Sequence, residues 1–264
     1  MKKLTFLGTG HGMPIASSCS CVFLEENNNN LLFDTGGGHD ILVRFTQANK
    51  KPTLLKNIFI SHYDSDHILG FIPIVRALHR WNPRPTEKIK IFCSSDVKKS
   101  LDSMFEYVAQ KHWKPVQDVL EFKIIKDGET HKTGDWNLQF FDLKSNGSPQ
   151  LGCTVTFSDG KKLAFLGDEP FREQYKKIVL NPDILVHNAF CLDDQEKIFK
   201  AHEKNHSTVK EAAQNATKIG AKTLVLLHME DKTLETRKKK YKTEAEKYFS
   251  GKIVVPLDLD SFQF

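Results

Sequence analysis

ISHYDSDHILG, Ile60 to Gly70, sets two histidines and two aspartates (His62, Asp64, Asp66 and His67) within six residues, directly after an apolar run. Imidazole nitrogen and carboxylate oxygen are the donors that suit zinc, iron or manganese. A tight turn after a strand can aim several of them at one point, because the chain bends around the ion. The competing reading is a polar strand-to-helix turn in which an aspartate caps the helix. The rest of the chain decides between the two.

Two distant stretches repeat the theme. LAFLGDEP ends an apolar run on Asp168, behind a glycine that lets the backbone turn sharply, and LVLLHME ends another on His228. A lone carboxylate or imidazole at the end of a buried strand is an unusual placement without a partner. Three separate elements thus offer ligand-type side chains, which favours a metal site over a cap.

Outward from these motifs the chain alternates strand and helix patterns. KLTFLGTG, CSCVFLE and NNLLFDTGGG read as strands, the third entered through an asparagine hairpin turn at Asn27 to Asn30. HDILVRFTQAN spaces Ile41, Leu42, Phe45 and Ala48 for one helical face, and LKNIFIS is a short buried strand delivering His62. ILGFIPIVRALHRW reads as one helix with Pro73 near its start, and Asp96 is the N-cap candidate of the helix DVKKSLDSMFEYVAQ. A second β-rich block holds LEFKIIK, WNLQFFDLK and GCTVTFSDGKKLAFLGD, with a hairpin turn at Ser158-Asp159-Gly160 and His131 in a polar turn before it. DILVHNAF, the helix STVKEAAQNATKIG, KTLVLLHME, a basic helix and one edge strand, KIVVPLDLDSF, complete the order. Two β-rich halves, each with helices and with no linker between them, imply an α/β fold. The expectation is a four-layered αββα sandwich forming one domain over residues 1–264.

Bulk properties narrow the class. With 39% apolar and 27% charged residues the composition is that of a globular chain. No run approaches the roughly 18 to 20 apolar residues that span a bilayer, so no membrane is expected. The first apolar run, Leu4 to Leu7, is too short for a signal peptide, which makes the cytoplasm the default location. The five cysteines (Cys19, Cys21, Cys93, Cys153 and Cys191) form no C-x-x-C pair, which argues against a zinc ribbon or a disulfide framework. Net charge is +5, with a basic run at Thr236 to Lys242 that reads first as a solvated helix face. It reads second as a patch attracting phosphate groups.

FLGTG, LLFDTGGG with Asp34, ISHYDSDHILG, LGDEP with Asp168, HSTVKEAA with His206 and LVLLH with His228 occur in that order between Leu7 and His228. In this the sequence resembles the metallo-β-lactamase superfamily, within it the group similar to ribonuclease Z and small phosphodiesterases. The resemblance implies the αββα fold and a site for one or two ions, Zn2+ or Mn2+. It implies that one metal position is complete, with Asp66, His67, Asp168 and His228 as ligands. The other keeps His62, but the family's second histidine is replaced by Asp64, and the third by Lys144 or, in another alignment, Asn146. A Lys144 ammonium near Asp64 and Asp168 would then stand in for a missing cation. Asp66 is the implied acceptor of the proton of the attacking water, and His206 the donor to the leaving group. Asn188 stands where relatives tend to carry a glutamate orienting that histidine, which would weaken the proton relay. Asp34 reads equally as support for the metal loop and as a turn-forming residue, and His39, His79 and His112 as surface or helix residues.

The function implied is metal-dependent hydrolysis of phosphodiesters or small anionic esters. Ribonuclease Z grips transfer RNA with an arm inserted before the Gly-Asp motif. Here Lys144 and Asp168 are 24 residues apart, room for a hairpin only, so RNA is the less favoured substrate. Two other readings stand beside this one: a degenerate, non-catalytic member with a binding or regulatory role, and a thioester or lactone hydrolase of the same fold. Many relatives dimerise through β-rich surfaces, so a homodimer is compatible with the resemblance.

Overall fold

The apolar runs emerge as fourteen strands in the computed structural model, which describes residues 1–264. The chain separates into two compact units, one of residues 1–13, 17–125 and 257–264, the other of residues 14–16 and 126–256.

The first unit carries β1 (Lys2–Gly8), β2 (Cys21–Glu26), β3 (Asn29–Phe33), β4 (Asn57–Ile60), β5 (Ile89–Cys93), β6 (Leu120–Ile124) and, from the far end of the chain, β14 (Ser261–Gln263). Its sheet runs β14-β1-β2-β3-β4-β5-β6, antiparallel as far as β3 and parallel from β3 to β6. The β2–β3 hairpin turns through Asn27 at φ +51°, a left-handed conformation that asparagine tolerates, as the tetra-asparagine run predicts. Helices Asp40–Gln47, Phe71–Arg80 and Ser95–Tyr107 cover the sheet, the first with the apolar spacing read from sequence. Val97, Leu101 and Phe105, four residues apart, are all fully buried.

The second unit holds β7 (Thr130–Thr133), β8 (Trp136–Asp142), β9 (Leu151–Thr156), β10 (Lys162–Phe165), β11 (Ile184–Asn188), β12 (Thr223–Leu227) and β13 (Lys252–Val254). Its sheet runs β13-β12-β11-β10-β9-β8-β7, with β10 to β13 parallel and the rest antiparallel. Helix Val209–Lys218 buries Val209, Ala212, Ala213 and Ala216 along one face. A reciprocal box between Thr208 and Glu211 caps its start. Helix Leu234–Ala245 is the basic run: Arg237, Tyr241 and Ala245 turn inward, while Lys238, Lys239, Lys240 and Lys242 are exposed. This is the solvated-face reading, with one arginine drawn inside to bond the Glu230 carbonyl.

Several expectations are corrected. The helix expected from Ile68 is interrupted: a turn at Ser65–Ile68 is followed by a helix starting at Phe71, with Pro73 in its first turn. The break falls at Gly70, where an added Cβ would lie 1.8 Å from the Thr35 carbonyl oxygen, so no other residue fits the close approach. Ser94, not Asp96, caps helix Ser95–Tyr107, its Oγ accepting from the Val97 N–H at 3.2 Å. His131 lies in β7 rather than in a turn. The single C-terminal edge strand is two strands, β13 and β14, in different sheets; Pro256, which has no N–H for a ladder, lies between them. All five cysteines are free, and no helix is long and apolar enough to cross a membrane.

The second unit also buries an imidazole without exposure to water. His187 Nδ1 donates to the Asn188 carbonyl at 2.7 Å, and the Asn215 amide faces Nε2 at 3.3 Å. Both nitrogens are satisfied with the ring neutral, and desolvation pushes its pKa from 6.5 down to about 4. In the unfolded chain the ring takes up a proton near pH 6.5 while the folded chain resists until about pH 4. Stability is therefore present above pH 6.5 and lost as pH falls to 4, by about 3 kcal/mol at most from this group. Denaturant unfolding of His187→Gln against wild type should show a shallower fall over that window.

Candidate metal centre

In the first unit the parallel strands β3 and β4 end side by side, delivering Asp34 and the Ser61-His62 pair. Asp34 turns at φ +56° and is buried. Its Oδ1 accepts from the Ser61 N–H at 2.7 Å and both its oxygens lie 2.9 Å from Ser61 Oγ, while Oδ2 lies 2.8 Å from His67 Nδ1. An ionised carboxylate only accepts, so His67 Nδ1 carries the ring proton and Nε2 presents a lone pair. The same logic passes through Ser61. Its single hydroxyl proton points at Asp34, so His62 Nδ1, 2.9 Å from Oγ, is the donor there and His62 Nε2 too is a lone-pair donor.

The two imidazole centroids lie 4.0 Å apart, and Asp66 Oδ2 is 3.1 Å from His67 Nε2. Asp64 heads the turn but makes no side-chain capping bond, against the capping alternative. Its Oδ2 is 3.6 Å from His62 Nε2, and the side chain is 48% exposed. The turn is clamped to the strand end before it by Thr35, whose N–H and Oγ1 both donate to the His67 carbonyl, at 2.9 and 2.8 Å. Asp34 is thus a supporting residue of this loop. Ser61, which fixes two tautomers, carries little signal in the sequence: a hydroxyl next to a histidine at a strand end.

In the second unit three adjacent parallel strands do the positioning. Asp168 follows β10, Asn188 closes β11 and His228 follows β12, the last at φ +56°, an unusual conformation for histidine. The C-terminal ends of parallel strands are where open sheets place their ligands. His206 comes from the loop before helix Val209–Lys218, held by the Phe190 N–H to the Ser207 carbonyl and the Val209 N–H to the Cys191 carbonyl. Ligand atoms of Asp168, His206 and His228 lie within 4.8 Å of one another.

Asn188 sits against His206 as the sequence order implies. Its Oδ1 accepts the Ser207 N–H at 2.7 Å, which orients the amide so that Nδ2 faces the Asp168 carbonyl at 2.6 Å and His206 Nδ1 at 3.0 Å. The Asp168 carbonyl is itself 3.1 Å from His206 Nδ1. A donor and an acceptor therefore both flank Nδ1: the amide suits the neutral ring protonated on Nε2, the carbonyl suits the doubly protonated ring. The carboxamide occupies the orienting position expected of a carboxylate.

Lys144 does not stand in for a cation. At φ +57° it leaves β8 with its ammonium 2.8 Å from Asp142 and 3.6 Å from Asp127, and its side chain is 42% exposed. Two local carboxylates at a surface turn hold it there more cheaply than burial would. The stretch before β9 is a short loop, and β9 and β10 form a hairpin, so no arm intervenes before Asp168. His79 and His112 are not independent either, their Nδ1 atoms lying 3.2 Å apart.

Imidazole Nε2 lone pairs held by proton-accepting partners, together with carboxylates, form a donor set that fits a zinc-like or manganese-like ion. The model of the β-lactamase superfamily domain family matches residues 29–229. Ribonuclease Z of Bacillus velezensis is 28% identical over 277 aligned residues, which cover 86% of this chain and 87% of that one. Among solved structures, the metallo-β-lactamase fold protein YhfI of Bacillus subtilis superposes with a TM-score of 0.79 at 17% identity, covering 99% of this chain and 98% of the other. Human tRNase Z, short form, does so with 0.77 at 21% identity, covering 99% and 98%. The fold is the metallo-β-lactamase fold, with two mixed sheets, each flanked by helices.

Proposed function

The chain belongs to the β-lactamase superfamily domain family, and from that premise we propose that it hydrolyses phosphodiesters with the help of divalent metal ions. Its ligands are those that the family resemblance implies: His62, Asp64, Asp66, His67, Asp168 and His228. The tautomers of His62 and His67 carry this reading. A hydrogen-bond chain through Asp34 and Ser61 aligns two Nε2 lone pairs, an arrangement a merely structural histidine pair does not need. The likeness to ribonuclease Z of Bacillus velezensis supports the phosphodiester as substrate class. The 24-residue separation of Lys144 and Asp168 favours a small diester over a gripped transfer RNA.

A bound ion supplies a water that is acidic enough to attack at neutral pH and balances charge building on the phosphoryl oxygens. The protein residues move the protons. Asp66 accepts the proton of the attacking water, and His206 gives one to the departing oxygen through Nε2, while Nδ1 answers to Asn188 and the Asp168 carbonyl. Asp64 serves as a ligand despite its exposure, replacing an imidazole with a harder oxygen donor and so favouring manganese over zinc at that position.

Turnover of bis(p-nitrophenyl) phosphate by metal-stripped protein, alone and with manganese or zinc restored, tests the reading. Activity that returns with the metal supports it. Metal-dependent turnover of carboxyl or thiol esters alone would replace it with the ester-hydrolase reading, and inactivity on every ester would leave a binding protein.

A further inference from the structure

Glu169 follows Asp168 and is almost wholly buried, at 3% exposure, yet no reading of the sequence gives it a task. Its carboxylate is the hub of a network joining three loops of the second unit. Oε1 accepts from Ser145 Oγ at 2.7 Å and from Gln150 Nε2 at 3.4 Å, both in the loop between β8 and β9. Asn205 Nδ2 donates to both oxygens, at 2.7 and 2.6 Å. Arg172 Nη2 closes a triangle, 3.5 Å from Glu169 Oε2 and 3.4 Å from Asn205 Oδ1. Asn205 is the residue before His206 and holds a left-handed conformation, φ +60°.

We infer that Glu169 is a positioning residue: by gripping the Asn205 carboxamide it fixes the loop that presents His206 beside Asp168 and His228. The inference rests on the proposed roles of those three residues. Its physical basis is that a buried carboxylate must be matched by donors, so every loop supplying one is tied to the Gly167-Asp168 turn. Burial this complete serves no solvent-facing purpose. The Arg172 guanidinium offsets the charge while orienting both partners.

The polarity of the network makes it testable. Because Asn205 donates to both oxygens, a Glu169→Gln amide would set one NH2 group against another and loosen the tie. Adding Asn205→Asp reverses the polarity of the pair and restores it, with Arg172 still able to bond residue 205. Zinc affinity by chelator competition, and kcat and KM on a dinucleoside monophosphate, whose departing alkoxide needs the His206 proton, should be compared for wild type, Glu169→Gln, the double variant and Asn205→Gly. Asn205→Gly keeps the left-handed backbone without the carboxamide and guards against a Glu169→Gln chain that does not fold.

Glu169→Gln and Asn205→Gly are expected to lose about 10- to 100-fold in zinc affinity and in kcat. KM should stay within about twofold of wild type, and the double variant should recover most of the loss. Retained affinity and kcat in the folded single variants would overturn the inference, as would a double variant no better than Glu169→Gln. If wild type binds zinc but hydrolyses no phosphodiester, the functional reading fails while the affinity series still decides the role of Glu169.

Discussion

Replacing Asp168 with alanine is expected to lower kcat/KM on bis(p-nitrophenyl) phosphate at least about a thousandfold, or about 4 kcal/mol of transition-state stabilisation. Asp168 lies at the end of β10, its Oδ2 3.6 Å from His228 Nε2. The family resemblance makes this carboxylate a metal ligand, so its removal would weaken metal binding. The fold should survive: the Asp168 carbonyl that bonds Asn188 belongs to the backbone and remains in Asp168→Ala. Thermal unfolding of the metal-free forms should differ little, and the loss should not be recovered by excess metal. A variant that keeps metal and activity would remove Asp168 from the ligand set.

Substitution of His206 is expected to act differently, and the difference identifies its role. A general acid contributes about 10^2- to 10^4-fold where the departing oxygen needs a proton. p-Nitrophenolate is a stable leaving group and needs little help, whereas an alkoxide does. His206→Ala should therefore lower kcat by about 10^2- to 10^4-fold on a dinucleoside monophosphate and by no more than about tenfold on bis(p-nitrophenyl) phosphate. An equal loss on both would assign His206 to metal binding instead, a role its ligand distance to Asp168 and His228 permits.

Much of this architecture is legible in the sequence because its signals are local. Apolar runs ending on Asp34, His62, Asp168 and His228 mark strand ends, and those residues stand at strand ends in the structure. What escaped reading depends on partners distant in the chain. The helix break at Gly70 is set by the Thr35 carbonyl, which no local pattern reveals. Ser61 shows its use only once Asp34 is beside it, and Glu169 only once Asn205, Ser145 and Arg172 converge. Lys144 misleads for the opposite reason. The resemblance gives it a task in the site, while two nearby acids, Asp142 and Asp127, already satisfy it at the surface. The C-terminal run looked continuous because a break at Pro256 is weaker evidence than the apolar pattern around it.

The central claim is that this divergent ligand set still binds metal and uses it. Elemental analysis of the chain purified without chelator, paired with hydrolysis before and after stripping and restoring the metal, tests it most directly. The account predicts one or two equivalents of zinc or manganese per chain, with phosphodiesterase activity that leaves and returns with them. A chain that retains no ion, even after zinc and manganese are added back, would contradict it.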